Sequence, residues 1–382
     1  MLHNFRLLVL LAAGCLTTMA GGVVAPILPD IVQQLHLDPA LAGNLVSMHC
    51  LTIALFSPPL GILADRVGRL RVLVPCLILY AVFGVAGAFM HSFWPLLVTR
   101  GLLGAASGGI AAASLGLLGN MYDGEERSRA LGIATSTLTI TGITDPLLGG
   151  WVGASDWRHA FYLYGLGIPL AALAALTLKD KPSSKAKPNK RNHTSKLFKV
   201  LGHPYALKLL LALGLTSVAM YSVVIYAPLY LEKAIGAGPL LNGLVLAVRA
   251  IGAGFISAFG ASKLAKHLGT ARAIALGFGL MAVTLAAIPL QHELSWIMLT
   301  AILFGMGFGI VLPSLYSALA SIAPSELGSS VLAAGTGVGF LGQFLSPILL
   351  GPLLNYSSLE GVFYGAAGVS LVAGILVFTP KR

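Results

Sequence analysis

The sequence predicts an all-α polytopic membrane protein in which twelve transmembrane helices form two parallel six-helix repeats. Three observations carry that expectation. The 382 residues are 57% hydrophobic and 10% charged, with a mean hydropathy of +0.87, which is more apolar surface than a water-exposed domain can hide. Apolar runs of the roughly 20 residues needed to cross a ~30 Å hydrocarbon core recur along the whole chain. Short residue patterns then return at a fixed offset of 201 positions. Membrane strands are excluded, because a barrel strand is about 10 residues of alternating polarity.

The first expected span, 7–29, follows Arg6 and runs past Cys15 through Val23, Val24 and Ile27. A basic residue, an apolar run and small residues before a cysteine also resemble a cleavable leader, but the length of the run favours a retained helix. The next five spans are 41–63, 72–91, 94–121, 130–152 and 159–178, completing an N-terminal bundle of residues 1–178. The one long polar segment, opening "KDKPSSKAKPNKRNHTSKLFK", reads as a basic linker over 179–204. Six further spans, 205–231, 240–262, 272–291, 294–320, 329–354 and 361–379, make a C-terminal bundle within 205–382.

The net charge of +11 would suggest a nucleic-acid partner in a soluble protein, so its placement decides. Of the 24 Lys and Arg, 20 fall in the termini and in loops on one side: Arg6, the 66–71 hairpin, Arg127 and Arg129, the linker with Lys208, Lys263, Lys266 and Arg272, and the terminal Lys381 and Arg382. Arg158 and Lys233 fall on the other side, and Arg100 and Arg249 inside spans. This asymmetry predicts cytoplasmic termini in an integral, inner-membrane protein with no nucleic-acid partner. Cys15, Cys50 and Cys76 lie in apolar runs, so neither a disulfide framework nor a metal site is expected.

The internal repeat fixes the topology. Leu63, Ala64, Gly68 and Arg71 return as Leu264, Ala265, Gly269 and Arg272; Gly104 and Gly108 return as Gly305 and Gly309; Glu125 returns as Glu326 and Pro146 as Pro347. Halves that share these positions share one fold in one orientation, a design built for alternating access.

The stretch "GILADRVGRLRVL", 61–73, resembles the signature of the major facilitator superfamily between its second and third helices, matching at Gly61, Asp65, Arg66, Gly68, Arg69 and Arg71. "DWRHAFY", 156–162, resembles the stretch that precedes the sixth helix in many members. The resemblance spans the chain and implies that Asp65 grips the eleventh helix and closes a cytoplasmic gate. A carboxylate there can pair with Arg129 or Arg127 from the next loop. A merely topogenic charged turn is the other reading.

The fifth span, "GIATSTLTITGITDPLLGGWV", resembles the antiporter motif of the same family at Pro146, Gly149 and Gly150, with Asp145 standing where a glycine is usual. A carboxylate at that depth costs about 2.5 to 3.5 kcal/mol on the insertion scale, so it should face a cavity or a partner and can load a proton on one side and release it on the other. A structural ion pair, or a neutral carboxyl held by a hydroxyl such as that of Thr144, is the alternative. Arg100, in "LLVTRGLLGAASGG", resembles the fourth-helix arginine of drug and proton antiporters; Arg249 lies in the eighth span. Either can answer the charge of Asp145.

His49, Tyr221, Tyr226, Tyr230, Phe304, Phe308, Phe340, Gln343 and Phe344 are the candidate cavity residues, an aromatic set that suits amphipathic solutes better than sugars. No Walker loop is present, so no cofactor is expected beyond the proton gradient. Ser107-Gly108 could be imagined as part of an intramembrane serine peptidase, but the repeat places Phe308 at the equivalent position and no histidine partner is indicated. The expectation is therefore a monomeric, proton-coupled exporter of small drug-like molecules in the lipid bilayer, not an enzyme. Uptake of a metabolite by the same fold, and a non-transporting sensor or scaffold, are the alternatives.

Overall fold

The computed structural model describes residues 4–122, 124–180, 190–324 and 327–378. Residues 181–189 of the linker, Glu326 of the repeat, and Lys381 and Arg382 lie outside the described residues. The described residues form helices and connecting turns, with no strand among them.

The first span is interrupted. Helix α1, Phe5–Gly22, gives way to a 3-10 turn at Ala25–Ile27 and then to α2, Leu28–Gln34. Pro26 and Pro29 lack the N–H groups that would carry the ladder through. Helices α3 (Pro39–Val67), α4 (Arg69–Ala86), α5 (Phe93–Met121) and α6 (Gly124–Val152) follow, and the sixth span is built from α7 (Trp157–Tyr162) and α8 (Gly167–Thr177) joined by a 3-10 turn. Local chemistry sets several starts: Asn4, Asp38 and Asp156 each accept from a backbone N–H two residues on, the N-cap arrangement.

Beyond the gap come α9 (Lys190–Leu201), α10 (Pro204–Ile235), α11 (Pro239–Phe259), α12 (Ala261–Leu268), α13 (Thr270–Ala287), α14 (Leu294–Ser321), α15 (Gly328–Leu350) and α16 (Leu353–Phe378). Within the polar linker, 190–201 is helical. The stretch 355–360 between the last two expected spans holds the non-helical Ser357 and Ser358, the latter at φ +64°, where α16 bends.

Eleven helical stretches among the described residues are long and apolar enough to cross a membrane. Helix α6 makes the twelfth by length, 29 residues, but its threonines and Asp145 leave it the least apolar of the long helices. Hydrophobicity alone therefore undercounts the spans at the helix that carries Asp145.

The chain forms two compact units, one of Met1–Ser184 with Leu231–Ala247, the other of Lys185–Tyr230 with Val248–Arg382. The sequence boundary at 179–204 does not anticipate the assignment of Leu231–Ala247 to the first unit. Backbone contact explains it. A Cβ at Gly243 would strike the carbonyl of Pro146, one at Gly150 would strike that of Pro239, and the Asn242 amide donates to the carbonyl of Pro26 at 3.3 Å.

The repeated glycines have the same task in both units. In the first, Gly104 and Gly108 of α5 lie against the backbone of α3 at His49 and Ile53. In the second, Gly305 and Gly309 of α14 lie against the backbone of α11 at Arg249 and Ala253. Small residues at these crossings let two helix backbones touch, so the 201-residue sequence repeat is also a repeat of packing.

Candidate functional site

Asp145 is 3% exposed, on the face of α6 turned to α1. The Thr18 hydroxyl donates to its Oδ2 at 2.8 Å. Thr18 carries one hydroxyl hydrogen, and two further acceptors stand within reach: the Cys15 carbonyl at 2.8 Å and the Thr141 hydroxyl oxygen at 2.9 Å. When Asp145 is ionised Thr18 can donate to it. When Asp145 carries a proton, Thr18 can accept and turn its own hydrogen to Cys15 or Thr141. Gly22 completes the seat, since a Cβ there would lie 2.7 Å from the Cβ of Asp145. The hydroxyl expected at Thr144 is thus supplied by Thr18, 127 residues away in the chain.

Arg100 is 1% exposed, and each of its three nitrogens donates one hydrogen bond. Nε donates to the Leu45 carbonyl at 3.1 Å, Nη1 to the Tyr164 hydroxyl at 3.0 Å, and Nη2 to the Ala20 carbonyl. Ala20 belongs to the last turn of α1, whose carbonyls lack helical partners where the helix breaks, and a cation is favoured at that end of the helix dipole. Tyr164 is itself held edge-on by Tyr80, with ring centres 5.5 Å apart, and the Tyr80 hydroxyl donates to the Leu16 carbonyl at 2.6 Å. Arg100 therefore clamps α1, α3 and the sixth span together and is not the hydrogen-bond partner of Asp145. Arg249 belongs to the second unit, buried, with its Nε lacking a hydrogen-bond partner among the described residues.

The gate motif is organised around Arg69. Its Nη2 and Nε donate to Asp65 Oδ1 at 2.9 and 3.2 Å, and its Nη1 donates to the Gly116 carbonyl of α5. The partner of Asp65 is thus Arg69, four residues on, across the turn at Gly68 between α3 and α4. The expected pairing with Arg129 or Arg127 is not formed: Arg129 is exposed, and Arg127 lies over Gly119. Arg66 is exposed, and Arg71 donates to the Val67 carbonyl at 3.3 Å. Gly61 passes Ala112 of α5 with room for ordinary contact only.

Sequence reasoning missed Asp180. Its carboxylate accepts from the backbone N–H groups of Arg69, at 3.1 Å, and Leu70, at 3.1 and 3.2 Å, capping α4 from the far end of the unit. No local signal identifies it, because the cap position itself is Gly68, which has no side chain to offer. Gly68 adopts φ +111°, ψ 137°, and a Cβ there would sit 2.7 Å from Asp180 Oδ2. Gly68→Ala should therefore lower stability by about 1 to 3 kcal/mol. Thermal unfolding in detergent reads this directly, and an unchanged Tm would contradict it.

The antiporter-like stretch packs by backbone contact. Gly149 lies against the backbone of Val23, where α1 ends, and Gly150 against that of Pro239. The "DWRHAFY" stretch anchors the start of the sixth span: Trp157 is fully buried, its indole N–H donates to Gln34 Oε1 at 2.9 Å, and Arg158 stacks over its ring at 4.4 Å.

The candidate cavity residues divide. His49 is packed inside the first unit, against α5, with its Nε2 3.3 Å from Cys50 Sγ. Tyr226 and Phe304 are fully buried within the second unit and Tyr221 and Tyr230 nearly so; the Tyr226 hydroxyl has no hydrogen-bond partner among the described residues. Phe308, Phe340, Gln343 and Phe344 are half-buried. The sequence did not foresee an apolar pocket of about 70 Å³ between α1, α5 and α6, lined by Leu10, Gly14, Thr17, Ser114 and Leu138 among others.

The chain matches the family model described as Major Facilitator Superfamily over residues 10–347, with a second match over 233–382. It is 25% identical over 374 residues to the quinolone resistance protein NorA of Staphylococcus aureus (strain COL), covering 94% of this chain and 92% of that one. It is 26% identical over 376 residues to the multidrug efflux protein YfmO of Bacillus subtilis (strain 168), covering 97% and 92%. Its fold matches the inward-facing, unoccupied crystal structure of a bacterial homologue of the human lysosomal transporter Spinster with a TM-score of 0.80 at 17% identity, over 98% of this chain and 95% of that one. A POT family transporter in complex with 5-aminolevulinic acid matches with a TM-score of 0.77 at 14% identity, over 97% and 95%. The repeated helix crossings, the Asp65–Arg69 hairpin and the full-length family match lead to one conclusion: this chain belongs to the major facilitator superfamily, as an integral membrane transporter of small molecules and not an enzyme.

Proposed function

We propose that the protein is a proton-coupled exporter of amphipathic, drug-like molecules, working by alternating access of its two bundles with Asp145 as the proton carrier. The observation that carries the proposal is the seat of Asp145: a buried intramembrane carboxyl whose hydrogen-bonding neighbour, Thr18, can serve either protonation state. The names of two relatives, a quinolone resistance protein and a multidrug efflux protein, support the direction and the substrate class. Half-buried Phe308, Phe340 and Phe344 supply aromatic surface for such solutes. In this reading Arg249 answers the charge of Asp145, the Asp65–Arg69 hairpin latches the cytoplasmic gate, both termini are cytoplasmic in an inner membrane, and the working unit is a monomer.

Flux in proteoliposomes under an imposed pH gradient tests the proposal. Solute leaving the cytoplasmic side as protons enter is the expected result. Movement of solute with protons would turn the reading to uptake, and flux indifferent to the gradient would remove proton coupling altogether.

A further inference from the structure

Helix α9 offers a feature that transport does not use. Lys196, Lys199 and Val200 follow at i, i+3 and i+4 and share one side of the helix, and His203, in the turn that leads to α10, joins them at the same cavity. That side lines an open cavity of about 730 Å³, whose other lining residues are Ile322, Pro324 and Leu327. Lys196 and Lys199 bring two ammonium groups to it. His203 Nδ1 accepts from the Tyr205 backbone N–H at 3.2 Å, which leaves Nε2–H as a donor. The opposite side of α9 carries Leu197, Phe198 and Leu201, and Phe198 is 70% exposed.

Connectivity sets the depth of this cavity. α9 leads through a short turn into the span α10, while Ile322 and Pro324 follow the end of the span α14 and Leu327 precedes the start of the span α15. Three ends of membrane helices meet there, which is the level of the lipid headgroups. A basic helix with an apolar reverse side at that level is built to lie in the interface. Lysines held close to a membrane surface attract anionic lipid.

We propose that this cavity binds the phosphate of an anionic phospholipid, with Lys196, Lys199 and His203 as its donors, Ile322 and Leu327 against the glycerol region, and Phe198 among the acyl chains. The site is independent of the transport cycle proposed above and stands or falls separately.

The test is lipid retention by the purified full-length protein, measured by native mass spectrometry during titration with phosphatidylglycerol or phosphatidylcholine. Wild type should retain phosphatidylglycerol at concentrations where phosphatidylcholine is lost. Lys196→Gln/Lys199→Gln should weaken that retention roughly 10- to 30-fold, taking about 1 kcal/mol per lysine near a surface. The charge-matched Lys263→Gln/Lys266→Gln should retain it as wild type does. Equal loss in the two double variants, equal retention of the two lipids, or full competition by inorganic phosphate at matching concentration would each overturn the proposal.

Discussion

Asp145→Asn is expected to bring pH-driven export down to the level of protein-free liposomes while leaving the fold intact. Asparagine is nearly the same shape, and its side-chain oxygen can still accept from Thr18, so the seat formed by Thr18, Thr141 and Gly22 stays filled. What is lost is the exchangeable proton. Downhill, gradient-independent movement of solute should persist, because the bundles retain their packing. Thermal unfolding and flux must therefore separate in this variant. Wild-type pumping in Asp145→Asn would refute Asp145 as the carrier, and a collapsed Tm would show a structural acid instead.

Arg100→Gln should give the opposite pattern, a large loss of stability at every pH. Three buried hydrogen bonds disappear, to Leu45, Ala20 and Tyr164. At about 0.6 kcal/mol for each bond within a membrane bundle, the loss is about 2 kcal/mol. The break after α1 would lose its tether to α3 and to the sixth span together. Combining Arg100→Gln with Asp145→Asn distinguishes a clamp from a charge partner. A clamp predicts additive losses of stability, whereas a coupling energy of about 0.5 to 3 kcal/mol would mean that the arginine answers the carboxylate after all.

The sequence carried the architecture because the bilayer imposes a length and the internal repeat imposes an orientation. Gly104 with Gly305, and Gly108 with Gly309, were legible as equivalents, and they proved to sit at equivalent helix crossings. The break in the first span was less legible: Pro26 and Pro29 mark it, but a run of apolar residues conceals it. Asp65 illustrates a different failure. Its partner Arg69 is only four residues on, but the pair closes because the chain turns at Gly68, and the sequence alone does not show that geometry. Asp180 and Thr18 were out of reach altogether. Each meets its partner across more than a hundred residues, and such contacts are fixed by tertiary packing, which no local pattern encodes.

The single hydrogen on Thr18 has a kinetic consequence. Turning a hydroxyl about its C–O bond needs no displacement of backbone or neighbouring side chains, and rotations of that size belong to picoseconds and nanoseconds, whereas collective tilting of helical bundles takes microseconds to milliseconds. The hydroxyl can therefore follow any change in the acid without delay and adds no barrier of its own. In the proposed cycle, turnover is then timed by how long each face stays open to water, not by this rotor.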